Sequence, residues 1–300
     1  MRTRTTIILS SAAAVVVLAA VAGAWWMLRP PSIRDTADQY LRALEAGDIG
    51  TIDTMMADLP LTRAQRATID DAFRGASGYI TSTHIDDIGP HGGVRATARL
   101  GEAPVTVSFM VGRSGTLTGD VLGSLTVHPS VGEAVRIGDA TVLAGTSVGL
   151  LPAVYPIAAL PDDVLDGSRS VPVSNQAPIT VDLDVAMAPG AAKAAAPQLD
   201  AYEDRCAAST DVVPAHCGLR VPWAADLRSL DEITFRIDRR PQLALAEDGT
   251  TFAATGGRIT ATARGEGWDG ASRTAVYRTD EWSLRGRVVF DGAHMQLRVD

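Results

Sequence analysis

SIRDTADQYLRALEAGDIGTIDTMMADLP, residues 32–60, decides how the chain is read. Ile33, Ala37, Tyr40, Leu41 and Leu44 recur at helical spacing, with Asp35 as the expected N-cap and Gly47 as the stop. A second short helix is expected over 49–58. A third follows in LTRAQRATIDDAFRGA, residues 61–76, capped by Thr62 after Leu61 and ended by Gly75. From Gly78 the period changes to two. YITSTHIDDI (79–88), VRATARL (94–100), VTVSFMV (105–111) and LGSLTV (122–127) read as strands parted by Gly and Pro turns. Helices followed by a meander predict an α+β layer, a curved antiparallel sheet with helices on one face.

Outward from there, residues 131–188 hold short β-runs cut by turns: VRIGDATVLAG, VGLLPAVYPIAAL, SRSVPV and ITVDLDVAM. They predict a small all-β module. MAPGAAKAAAPQ is either a linker or the start of a helix through QLDAYEDRCAAS, which carries Leu199, Tyr202 and Cys206. The strands ITFRI, QLALAE, RITATARG, AVYRTDEWSLRGRVVF and MQLRVD come after it, so residues 193–300 read as a second α+β domain. The expected division is a cytoplasmic tail at 1–4, a transmembrane helix at 5–28, an α+β domain at 33–128, a β-module at 131–188 and a C-terminal α+β domain at 193–300.

The run from Ala37 to Asp48 (ADQYLRALEAGD), followed by strands, resembles the opening of NTF2-like exported domains, which often follow a single membrane anchor in Gram-positive bacteria. VGLLPAVYPIAALP, residues 148–161, resembles the small β-modules of cell-envelope proteins of the teicoplanin-resistance-associated type. Together the likenesses span residues 33–188 by pattern. They imply a cone-shaped helix-and-sheet fold and an envelope role, and they carry no catalytic residue onto this chain.

Residues 5–28, TTIILSSAAAVVVLAAVAGAWWML, lie between Arg4 and Arg29 and hold no charge. As a helix they span about 36 Å, enough for a hydrocarbon core of about 30 Å. Arg2 and Arg4 keep the N-terminus cytoplasmic by the positive-inside rule, which places Trp25 and Trp26 at the outer interface and the bulk of the chain outside. A cleaved signal peptide competes, because Ala20-Val21-Ala22 and Ala22-Gly23-Ala24 are small-x-small. The run exceeds an h-region of about 7–15 residues, so the uncleaved anchor is preferred. The expected location is the cell membrane, single-pass, with residues 5–28 as the membrane contact.

Net charge is −8; Arg2, Arg4 and Arg29 account for three of the 27 basic groups, so residues 30–300 carry 24 basic against 35 acidic, or −11. A surface this acidic repels phosphate backbones, and nucleic acid is excluded as a partner.

Cys206 and Cys217 are the only cysteines. Cys206, His216 and Cys217 make a poor zinc tetrahedron, and an even count on the oxidising side of a membrane favours a disulfide. Gly145-Thr-Ser147-Val-Gly149 matches the nucleophile-elbow pattern, but Pro152 and Pro156 oppose the helix that an elbow requires. His84, Asp86, Asp87 and His91 read as a polar strand end and turn. Asp182 with Asp184 reads as a solvated strand face, and Asp162, Asp163 and Asp166 as an acidic turn lacking calcium-loop spacing. Trp223, Trp268 and Trp282 fall in the last domain; Trp282 is expected in the core, and an aromatic left at the surface could bind glycan or a partner chain.

No catalytic group, metal or cofactor is assigned. The reading is a non-catalytic binding or interaction protein of the bacterial cell envelope, contacting an envelope protein or cell-wall component. The alternative is a small-ligand or enzymatic pocket inside the cone, with Tyr40, His84 and Asp86 as its residues. It fails if these side chains face outward or if Met55, Met56 and Phe73 plug the cone. A third reading is a structural spacer.

Overall fold

The computed structural model describes residues 32–208 and 210–300. The transmembrane helix expected at 5–28 and the tail at 1–4 lie outside the described residues. Among the described residues no helix is long and apolar enough to cross a membrane.

Three helices open the described chain: α1 (Ile33–Ala46), α2 (Ile49–Met55) and α3 (Arg63–Arg74). Ser32 caps α1, its hydroxyl accepting from the Asp35 amide at 3.1 Å. Asp35, expected as the cap, sits in the first turn instead, where a carboxylate complements the positive helix end. Gly47 closes the helix in the left-handed conformation at φ 67°. Thr62 and Gln65 form a reciprocal capping box on α3. Helix α1 buries Ala37, Tyr40, Leu41, Ala43 and Leu44.

The strands are β1 (Gly78–Ile88), β2 (Gly93–Leu100), β3 (Ala103–Val111), β4 (Leu117–Thr118), β5 (Gly123–Pro129), β6 (Ala134–Ile137), β7 (Ala140–Leu143), β8 (Val148–Leu150), β9 (Ala153–Leu160), β10 (Leu165–Asp166), β11 (Ser168–Val173), β12 (Ile179–Leu183) and β13 (Ala186–Met187). After them come helix α4 (Ala191–Cys206) and β14 (Leu227–Arg239), β15 (Gln242–Leu245), β16 (Thr251–Gly267), β17 (Ser272–Asp291) and β18 (His294–Val299). The Ala-rich stretch therefore begins a helix and is not a linker.

The expected α+β class is corrected. The fold is mostly β, with 49% strand against 19% helix. Helical signals cluster at the start of the chain and draw the eye, whereas period-two alternation governs most of the residues after Gly78. In the C-terminal part it produces strands of 17 and 20 residues, accompanied among the described residues by one α-helix and a single 3-10 turn at Trp223–Ala225.

Strands from both sides of the boundary drawn between 33–128 and 131–188 share one sheet, ordered β4-β3-β2-β1-β9-β6-β7 with β11 also on β9. The joint is Gly78↔Val154 and Tyr79↔Ala153. A second link is the parallel pairing of β12 on β5, from Ile179↔Leu125 to Leu183↔Pro129. The C-terminal sheet is ordered β14-β16-β17-β18, with β15 also on β16.

The end of α3 abuts the β6–β7 turn so closely that a Cβ at Gly138 would lie 2.2 Å from the Ala72 carbonyl oxygen, and Gly138 has φ 57°. Gly138→Ala should therefore cost about 2–4 kcal/mol, from left-handed strain plus displacement of α3. Urea denaturation measures it, and a loss under about 1 kcal/mol would show that the helix shifts at little cost.

Candidate functional site

Tyr40 is fully buried on α1, its ring meeting Phe109 edge-on at 4.8 Å. Its hydroxyl and that of Thr36, one turn earlier, have no hydrogen-bond partner among the described residues. Burial pushes the Tyr40 pKa well up, so it stays protonated. His84 and Asp86 lie on the exposed face of β1, and Asp86 accepts a 2.6 Å hydrogen bond from the Thr97 hydroxyl. The cause is a β-bulge: Ser82 takes φ 53° where the register slips between Thr81 and His84. Ile80 and Ile85 point inward on either side of it. The three expected pocket residues are therefore not brought together, while Met55, Met56 and Phe73 are buried in the interior.

Ser147 of the Gly-x-Ser-x-Gly stretch leads into strand β8, and its hydroxyl lies 2.8 Å from that of Ser124. Asp182 is in register with His128 on β5 and exposed. Asp162 pairs with Arg136 at 2.9 Å. Among the described residues no cluster of three or more His, Cys, Asp or Glu side chains is placed to hold a metal. Cys206 and Cys217 form the disulfide. Trp282 is buried and its Nε1 donates to the Cys217 carbonyl at 2.8 Å, Trp223 is half-buried, and Trp268 stands 68% exposed at the β16–β17 tip.

The site that sequence reasoning missed is a groove of about 420 Å³ between α3 and the segment that runs from β7, on β6, to β8, on β5. Leu61, Ala64 and Ile69 form one wall, and Val142, Leu143 and Val148 the other. The capping box fixes where α3 starts, and with it the position of Leu61 and Ala64. At Gly149 a Cβ would come within 3.0 Å of Leu122, so glycine lets β8 lie close to that residue at the groove floor. Gln65, Thr68, Thr141, Thr146 and Ser147 supply hydroxyl and amide groups, and no charged side chain lines the space. Such a surface buries an apolar group and orients it by hydrogen bonds at the rim. A sequence signal for it exists. The β7 alternation turns Ala140 and Val142 inward, which leaves Leu143 at an outward position, where it is 60% exposed.

No protein-family model, curated protein or solved structure matches this chain.

Proposed function

We propose that this is a single-pass, membrane-anchored protein of the cell envelope whose extracytoplasmic part binds a protein segment bearing apolar side chains, without catalysis. The observation that carries the reading is the uncharged groove with Leu143 at its rim. Its volume falls within the range of about 300–1,000 Å³ usual for binding sites. Covering Leu143 would contribute up to about 2 kcal/mol. A cell-wall glycan, rich in hydroxyls, suits this lining less well than an apolar side chain does. The uncharged run at 5–28 supports the anchor, and the disulfide suits an oxidising compartment.

A photo-crosslinking residue placed at Leu143 in intact cells is expected to trap one discrete protein adduct, while the same residue at exposed His84 traps none. Leu143→Asp should reduce co-purification of that protein on the order of tenfold. Equal labelling at both positions, or none at Leu143, would remove the groove from the binding surface.

A further inference from the structure

Several sheet edges in this fold are blocked. The Asn175 side chain pairs with Ser108 as a strand residue would, its Oδ1 accepting from the Ser108 amide at 3.3 Å and its Nδ2 donating to the Ser108 carbonyl. Gln198 does the same to β18, donating to the Met295 carbonyl at 2.9 Å and accepting from the Leu297 amide at 3.1 Å. Pro172 removes a donor from β11, and β14 carries three register shifts plus a bridge from Ile233 to Thr210. Proline, bulges and covering groups are how natural sheets avoid edge-to-edge pairing.

Strand β17 holds no proline over Ser272–Asp280 and keeps an unbroken register on β16 from Ser272 to Thr279, with residues 219–222 lining a pocket beside residues 276–279. Strand β18 reaches only Gly286–Asp291, and among the described residues no backbone group bonds the outer side of 272–280. The hydrogen-bond phase tells which groups are free. Gly267 donates to the Ala271 carbonyl at 2.8 Å at the hairpin tip. Alternation from there turns the backbone of Arg273, Ala275, Tyr277 and Thr279 toward β16. The N–H and C=O groups of Ser272, Thr274, Val276 and Arg278 therefore point outward. Val276, in the middle of this edge, is 65% exposed.

We infer that this edge pairs with the same edge of a second copy of the chain, antiparallel, about a two-fold axis at Val276. The edge is self-complementary in that register. Val276 meets its twin and buries two exposed valines, Thr274 faces Arg278, and Ser272 faces Asp280. No like charges stand directly opposite one another. The Val276 pair is of the hydrogen-bonded type, so each copy donates and accepts at the axis. The product is a sheet continuous across the axis, where β14-β16-β17 of one copy meet β17-β16-β14 of its mate. This inference is independent of the groove.

The test uses the full chain in detergent micelles, followed by light scattering and a short bismaleimide on single-cysteine variants that retain the native disulfide. Val276→Cys is expected to give a covalent dimer. Thr262→Cys, one strand inward on the same face, is expected to give none. Val276→Lys, which sets like charges across the axis, should raise the dimer dissociation constant at least about tenfold, with the melting temperature unchanged at dilutions where both proteins are monomers. Val276→Pro, which removes the outward N–H of an edge strand, should do the same. Monomer mass at about 50 μM, far above a typical micromolar dissociation constant, would overturn the inference. So would a dimer indifferent to both substitutions, which would place the contact elsewhere, or recovery of β17 bound to a different extended chain.

Discussion

Serine at both Cys206 and Cys217 is expected to lower the unfolding free energy by about 2–4 kcal/mol, the range for a cross-link closing a loop of this size. The bridge ties the end of α4 to a segment with few other anchors. Of the two valines within the loop Val212 is exposed and Val213 half-buried, whereas both cysteines are buried. What the bridge positions is a set of backbone contacts. The Cys217 carbonyl accepts from Trp282, and the His216 carbonyl accepts from the Tyr202 hydroxyl at 2.8 Å. Gly218, at φ 62°, lies so near the Ser283 carbonyl that a Cβ there would be 2.3 Å from its oxygen. The double variant should therefore lose Trp282 packing as well as cross-link entropy. Denaturation followed by tryptophan fluorescence reads both effects. A loss below about 1 kcal/mol with an unchanged native spectrum would show that the loop holds itself.

Arg240→Ala should cost about 2–3 kcal/mol. The Arg240 guanidinium, in the turn between β14 and β15, clamps α4. It donates to Glu203 Oε2 at 2.8 Å, to Asp204 Oδ1 at 2.6 Å and to the Asp200 carbonyl at 3.2 Å. Glu203 is fully buried and its other oxygen has no partner among the described residues, so removing the arginine strands a buried carboxylate. Breaking a buried pair costs about 3–5 kcal/mol, and the expected loss is smaller here because Arg240 is 40% exposed and water screens it.

Glu203 also gives the pair a pH signature. Burial raises its pKa, Arg240 pulls it down, and Asp200 and Asp204 raise it further, with a net upward shift. A carboxyl whose folded pKa lies above its unfolded value stabilises the fold at low pH. That contribution is lost as pH rises through the folded value. Wild-type stability should accordingly sag over the interval just above the ordinary glutamate pKa of about 4.3, and Glu203→Gln should remove the sag. Glu203→Gln should also restore most of what Arg240→Ala loses. Denaturant midpoints measured from about pH 4 to pH 8 decide it, and a pH profile unaltered by Glu203→Gln would remove Glu203 as the source.

The Arg240–Glu203 contact was not legible in the chain. Arg240 and Glu203 are 37 residues apart, and no periodicity links a turn arginine to a helix glutamate. The disulfide was legible, because a sequence with two cysteines leaves one pairing within the chain. Tyr40 was misplaced for a physical reason: an aromatic at helical spacing fits a core and a pocket wall equally well, and only Phe109, arriving from β3, shows that it is core. His84 and Asp86 alternate correctly on their strand, but the bulge at Ser82 settled which way they face. Leu143 could have been seen as an outward apolar residue, yet nothing in the sequence shows that α3 stands beside it.

By itself, then, the sequence determined what local chemistry decides: the Thr62 capping box, the Gly47 stop, the period-two strands and the uncharged N-terminal run. These depend on side chains within a few residues of one another. Tertiary structure alone decided that β1 joins β9 across 76 residues, that the fold is mostly β, where the groove opens and which edge stays unpaired. Each of those is a choice among partners distant in the chain. Strand pairing and burial reward such choices only after the loop between them is closed, so no local window of residues records the outcome.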